Sequence, residues 1–178
     1  MELTKAKVFV TVGTTKFDEL IRTVLTSEIL EALSSKGYNE LILQVGKTLY
    51  VPDCTPRCGF TRIEYFYLSA NIIDYVQAAD LIISHAGAGS ILDALDNKKN
   101  LIVVANESLM DNHQLELGKQ LDKDKHLYYC TCQTLLNTIE TMNFTELRPF
   151  INERKQVKDS EGQLMLFDIF RFLTHFTI

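Results

Sequence analysis

The stretch LIISHAGAGSILDAL, residues 81–95, constrains the fold of this chain more than any other. Three large apolar residues run into Ser84. A histidine and two glycines follow within five positions, and an apolar-periodic segment carrying one carboxylate, Asp93, starts at once. A short apolar run that ends in glycines reads as a buried strand, and the restart at helical spacing reads as an amphipathic helix. A strand apolar all along must be covered on both faces, which requires a parallel sheet with helices on either side.

The same alternation recurs from end to end. Residues 8–12 (VFVTV) form a β-branched run that stops at Gly13, and residues 18–33 then carry Leu20, Ile21, Val24, Leu25, Ile29, Leu30 and Leu33 at helical spacing. Gly37 closes that helix, and residues 40–45 (ELILQV) read as a second strand. Residues 46–62 hold two of the three prolines together with Cys54 and Cys58, and read as a long irregular loop. Residues 63–67 are a third strand, Ser69 the N-cap of a helix reaching Ala78, and residues 81–84 a fourth strand. A helix from Ser90 to about Asp96 and a strand over 101–105 come next. Beyond them the pattern predicts a helix over about 112–121, a strand over 127–130, and a helix capped by Thr131 that runs to about Met142. The fold class is α/β, a doubly wound, mostly parallel, Rossmann-like sheet.

A chain of 178 residues supports one domain with a proper core. The division expected is a Rossmann-like domain over 1–150 and a tail over 151–178. The tail is polar at first, then carries Phe167, Phe170, Phe172 and Phe176 within LMLFDIFRFLTHFTI. It reads as a C-terminal helix docked on the domain, or as an element facing a partner or a membrane surface. A net charge of −5 with no basic run argues against direct nucleic-acid binding. No stretch has the length of a membrane span, and the opening MELTKAKVFV lacks the apolar core of a secretory signal, so a cytoplasmic chain is expected. Cys54 with Cys58 and Cys130 with Cys132 are spaced poorly for zinc and read as free, partly buried thiols; no metal or cofactor is expected.

In a doubly wound sheet, ligands sit beyond the carboxyl ends of the strands, where glycines admit close approach and helix N-termini present free N–H groups. Residues 84–90 have that position. Their donors and the helix dipole favour a phosphate, and Asp93, expected in the first helical turn, is placed to accept hydrogen bonds from the two hydroxyls of a ribose. In the alternative, Gly87 and Gly89 only make a tight turn and Asp93 only complements the helix dipole. An NAD fingerprint fails because Leu92 stands where its third glycine belongs, and GAGS lacks the serine-hydrolase elbow. Residues 10–15 (VTVGTT) after the first strand and 106–114 (NESLMDNHQ) after the fifth are two further polar loops on the same edge, which together suit a nucleotide-sugar.

FVTVGTTKFDELI, ISHAGAGSILDAL and NESLMDNHQ, in that order over about residues 7–122, resemble the family of cytosolic catalytic subunits of the eukaryotic UDP-N-acetylglucosamine transferase that adds the second sugar of the dolichol-linked oligosaccharide (N-acetylglucosaminyldiphosphodolichol N-acetylglucosaminyltransferase). The resemblance implies the donor-binding C-terminal half of a GT-B glycosyltransferase, similar to the bacterial transferase that makes lipid II. It implies an inverting transfer of GlcNAc from UDP-GlcNAc to GlcNAc-diphosphodolichol for N-glycosylation. It also implies a membrane-anchored, acceptor-binding partner at the cytosolic face of the endoplasmic reticulum, so that the active form is a heterodimer. Carried onto this chain, it implies that Gly87, Ala88, Gly89 and Ser90 cradle the diphosphate and Asp93 holds the ribose. His113 and Gln114 would meet the sugar, residues 66–69 with Tyr67 and Leu68 would bracket the uracil, and Gly13, Thr14 and Thr15 would line the cleft toward the acceptor. Relatives often carry Glu at the position of Asp93 and proline at that of Ala105. His85 and His113 are the chemical candidates for a base, which the partner chain would otherwise supply. The rival readings are a non-catalytic UDP-sugar-binding or scaffold protein, and a transferase acting on a soluble acceptor.

Overall fold

The computed structural model describes residues 6–106, 112–151, 156–158 and 164–166. Six strands, β1 (Ala6–Thr11), β2 (Tyr38–Gln44), β3 (Arg62–Phe66), β4 (Leu81–His85), β5 (Asn100–Ala105) and β6 (Tyr128–Thr131), form one sheet in the order β3-β2-β1-β4-β5-β6. Every neighbouring pair is parallel. The chain builds outward from β1 to β3, then crosses back to set β4 on the other side of β1. This reversal separates the connections on either side of the β1/β4 boundary and opens a crevice at their carboxyl ends.

The strands are apolar without interruption because both faces are covered, and the two-residue period sorts their side chains. Val8, Val10, Leu41, Leu43, Leu81, Ile83, Ile102 and Val104 point to one layer, made by α1 (Asp18–Val24), α2 (Ser27–Ser35) and α6 (Leu135–Thr141). Phe9, Ile42, Ile82, Leu101 and Val103 point to the other, made by α3 (Ile72–Ala78), α4 (Ala88–Asp96) and α5 (Asn112–Lys123). Leu20, Leu30 and Leu33 of the first layer and Ile91 of the second are fully buried.

The periodic stretch 18–33 is two helices rather than one. Thr26 stands extended between them (φ −68°, ψ 151°), and its hydroxyl donates to the Thr23 carbonyl at 2.9 Å. Local hydroxyl bonds of this kind compete with the helical ladder. Ser69 does not cap α3 either: its hydroxyl accepts from the Asn71 N–H at 3.1 Å, a turn that delays the helix to Ile72. Thr131 leads into a 3-10 turn at Cys132–Thr134 before α6 begins.

The irregular segment between β2 and β3 is braced from within. The Arg57 guanidinium donates to the carbonyls of Asp53, Thr55 and Leu25, and the Asp53 carboxylate accepts from the backbone and hydroxyl of Thr55. Cys54 and Cys58 in this loop are half-buried thiols, while burial pushes Cys130 up to about 12 and Cys132 to about 11. In the tail, β7 (Gln156–Lys158) pairs antiparallel with β8 (Leu164–Leu166), where the sequence suggests the start of a helix. Residues 167–178, including the four phenylalanines, lie outside the described residues. Among the described residues no helix is long and apolar enough to cross a membrane.

Candidate functional site

The carboxyl ends of β1 and β4, adjacent in the sheet, deliver Gly13 and Gly87 to the crevice, and His85, the last residue of β4, lies between them. A Cβ on Gly13 would stand 2.7 Å from His85 Cε1, and one on Gly87 would overlap Nε2. The imidazole therefore fills the room that two side chains would need, which fixes both residues as glycine. Gly13 also holds φ +60°, a conformation L side chains rarely adopt. His85 is only 7% exposed. Burial holds its pKa below the ordinary histidine value, an effect the nearby Thr11 carbonyl partly offsets, and Nδ1 has no well-formed hydrogen bond. His85 thus packs between the two loops with its ring enclosed by them.

Helix α4 starts at Ala88, two residues before the position expected from sequence. Gly87 is its N-cap and no side chain caps it; the first ladder bond runs from Ile91 N–H to the Gly87 carbonyl at 3.1 Å. The N–H groups of Ala88, Gly89 and Ser90 precede that bond and so have no partner within the helix. They stand at the positive end of the helix dipole, at the carboxyl edge of the sheet. Gly89 lies inside the first turn, where glycine weakens a helix, and nothing stands within 4 Å of where its Cβ would be.

The earlier start moves Asp93 out of the first turn and into the second. It still shares a face with Gly89 and Ser90, at i+4 and i+3. Its carboxyl is half-buried, and its pKa is raised by desolvation first and by Asp96 second. Among the described residues no hydrogen bond or ion pair is made by that carboxylate.

A second polar layer supports the β1 loop, and the sequence reading missed it. Thr11 and Gln44 end β1 and β2, are each 3% exposed, and are joined by a hydrogen bond from the Thr11 hydroxyl to Gln44 Oε1. The Thr11 oxygen accepts the Gly13 N–H at 3.0 Å. The signal in the sequence is a polar residue closing an otherwise apolar strand, in VFVT and again in LILQ. Above this layer Thr14 and Thr15 are exposed, Thr15 donating to the Val12 carbonyl at 2.7 Å.

Tyr67 and Leu68 follow β3, about half exposed, while Phe66 turns inward and stacks on Tyr75 of α3 at 4.4 Å. β3 lies three strand spacings from β4, roughly 14 Å across the same carboxyl edge. His113 and Gln114 lie in the first turn of α5, which follows β5, the neighbour of β4. Residues 107–111, most of the expected third loop, lie outside the described residues. The candidate residues thus fall on one edge of the sheet, beside the point where its winding reverses.

Residues 7–165 match the glycosyltransferase family 28 C-terminal domain. A human protein named UDP-N-acetylglucosamine transferase subunit ALG13 is 53% identical over 128 residues, covering 72% of this chain and 11% of the human one. The chain therefore spans about a tenth of that relative's length, and of the mouse protein's. The Saccharomyces cerevisiae protein of the same name is 31% identical, with 80% of this chain and 87% of the yeast chain covered. Among solved structures, the NMR solution structure of ALG13 superposes with a TM-score of 0.63 at 27% identity, covering 82% of this chain and 89% of that one. The crystal structure of Acinetobacter baumannii MurG gives 0.58 at 17% identity over 83% and 44%, a likeness of fold.

Proposed function

This chain belongs to the family of glycosyltransferase family 28 C-terminal domains, and on that premise we propose that it is the donor-binding, catalytic subunit of a UDP-GlcNAc transferase. In this reading GlcNAc passes from UDP-GlcNAc to GlcNAc-diphosphodolichol. The observation that carries it is the uncapped start of α4, with open space over Gly89 and an unpaired carboxylate at Asp93 one turn on.

The residues divide the work by chemistry. The N–H groups of Ala88, Gly89 and Ser90 bind the diphosphate, with Gly87 allowing the approach, and Asp93 accepts from the ribose hydroxyls. Tyr67 and Leu68 flank the uracil, His113 and Gln114 meet the sugar, and Gly13, Thr14 and Thr15 face the acceptor. As the acceptor hydroxyl forms its bond to the anomeric carbon, the bond from that carbon to the diphosphate oxygen breaks and charge collects on UDP. Fixed N–H dipoles aimed at that charge stabilise it without reorganising, and losing one such donor typically raises the barrier by ~2.7–4 kcal/mol. The hydroxyl proton passes to a base, His113 or a group of the partner chain, while His85 is buried between the loops.

One α/β domain offers one wall of a cleft, whereas transfer needs donor and acceptor held together away from water. The acceptor-binding wall is assigned to a membrane-anchored partner, which brings this chain to the cytosolic face of the endoplasmic reticulum. The test is transfer of radiolabelled GlcNAc to a lipid-diphosphate-GlcNAc acceptor with and without that partner. Product only with both chains supports the reading, and efficient transfer by this chain alone contradicts it.

A further inference from the structure

The loop after β2 has a pattern that the donor site does not use. Residues 47–51 alternate: Lys47, Leu49 and Val51 are exposed, Leu49 to 97% and Val51 to 63%, while Thr48 and Tyr50 turn inward. The inward residues are anchored. Thr48 Oγ1 accepts the Tyr50 N–H at 2.9 Å, and the Arg22 guanidinium lies 4.0 Å over the Tyr50 ring. Two aliphatic side chains are therefore presented to solvent by a braced segment.

The base of this loop is joined to the loop after β1. The Lys47 N–H donates to the Thr15 carbonyl at 3.0 Å, and Gly46, at φ +62°, packs so closely on Thr15 that a Cβ would overlap that carbonyl. The join sets the backbone of Lys47 against Thr15, the residue before Lys16, whose side chain is 61% exposed with its ammonium 3.5 Å from Asp18. A chain of net charge −5 thus carries two exposed lysines on loops joined at their bases, with two outward aliphatics following Lys47 along the chain.

We propose that Lys16, Lys47, Leu49 and Val51 form a contact for the acceptor, an amphiphile whose diphosphate meets the lysines and whose hydrocarbon runs over Leu49 and Val51. The assignment rests on the transfer reading and extends it to a second substrate. Charge complementarity selects the occupant: a diphosphate linking sugar to lipid puts two negative charges next to the hydrocarbon, in the order that the lysines and aliphatics stand along the loop. The contact holds the acceptor and leaves the donor alone.

The test is a backbone-amide NMR titration of the full chain with a short prenyl-diphosphate-GlcNAc below its micelle concentration. The expected result is shifts at Lys16, Lys47, Leu49 and Val51, with affinity falling about tenfold in a Lys16→Gln, Lys47→Gln double variant. A Leu49→Ser, Val51→Ser variant should weaken the amphiphile and leave inorganic diphosphate unaffected. The substitutions are at exposed side chains, and unchanged spectra elsewhere report that the variants fold. No shift in this loop, an unchanged affinity in either variant, equal affinity for inorganic diphosphate, or the same shifts from phosphatidylglycerol vesicles without acceptor would each overturn it. A parallel UDP-GlcNAc titration separates the two claims. Shifts at Gly13 and at Ala88, Gly89 and Ser90 alongside a silent loop reject the acceptor contact alone, whereas silence to both ligands rejects the transfer reading as well.

Discussion

Replacing Gly89 by alanine should make the domain more stable and a worse binder. Gly89 is in the first turn of α4 without a positive φ, and nothing lies within 4 Å of the added methyl, so the substitution meets no clash. Alanine at a compatible glycine site typically stabilises by about 0.4–1 kcal/mol, mainly by restricting the unfolded chain. For a domain of this size that is an increase in Tm of roughly 1–4 °C. The same methyl enters the space assigned to the diphosphate and separates it from an N–H donor. Loss of one hydrogen bond to a charged group is worth about 1.5–3 kcal/mol, a ten- to hundredfold weaker Kd for UDP. Calorimetric titration with UDP and a thermal melt of the same sample read both effects, and Gly89→Val should abolish binding outright. A stabilised Gly89→Ala protein that binds UDP as the wild type does would refute the reasoning. Gly87→Ala is the contrast, since its methyl runs into the His85 ring and should lower the melt.

Three more substitutions probe the same crevice and its supports. Asp93→Asn removes a carboxyl whose pKa is raised in the fold, so its ionisation opposes folding as pH rises through the carboxylate range. At pH 7 the variant should keep or raise its urea midpoint and lose the preference of the wild type for UDP over the 2′,3′-dideoxy analogue; a retained preference would place the ribose elsewhere. His85 is buried with a lowered pKa, so below about pH 6.5 the unfolded chain takes up a proton that the folded chain resists. Stability should therefore fall with decreasing pH in that window, by at most about 1.4 kcal/mol per pH unit from this group, and His85→Asn should lose that slope in urea titrations at pH 7.5 and 5.5. Arg57→Ala deletes the donors that tie Asp53, Thr55 and Leu25 together. It should speed amide exchange across residues 53–60 and leave UDP affinity unchanged; coupled loss of both would link this loop to the donor site.

The strands were legible in the sequence because burial on both faces leaves a local signature: VFVTV, LIIS and LIVVA cannot lie at a surface. Helix boundaries were less so. The split at Thr26 depends on one hydroxyl choosing the Thr23 carbonyl over the ladder, which apolar spacing does not register. The sequence places α4 after the glycines, from Ser90, and the structure starts it at Ala88 with Gly89 inside. That failure of a local rule falls where open space and uncapped donors coincide, as expected at a functional site. The His85 wedge was out of reach, because the meeting of Gly13, His85 and Gly87 follows from β1 pairing with β4, a fact of sheet order. The buried Thr11–Gln44 bond is of the same kind, joining residues far apart in the chain through the β1/β2 register.

The central claim is that the start of α4 holds the donor diphosphate, and a crystal structure of the chain soaked with UDP-GlcNAc tests it most directly. The account predicts phosphate oxygens at about 2.7–3.2 Å from the N–H groups of Ala88, Gly89 and Ser90, with a ribose hydroxyl on the Asp93 carboxylate. A donor seated at the amino edge of the sheet, near Asp122 and Tyr128, or bound at the carboxyl edge with those three N–H groups left to water, would contradict it.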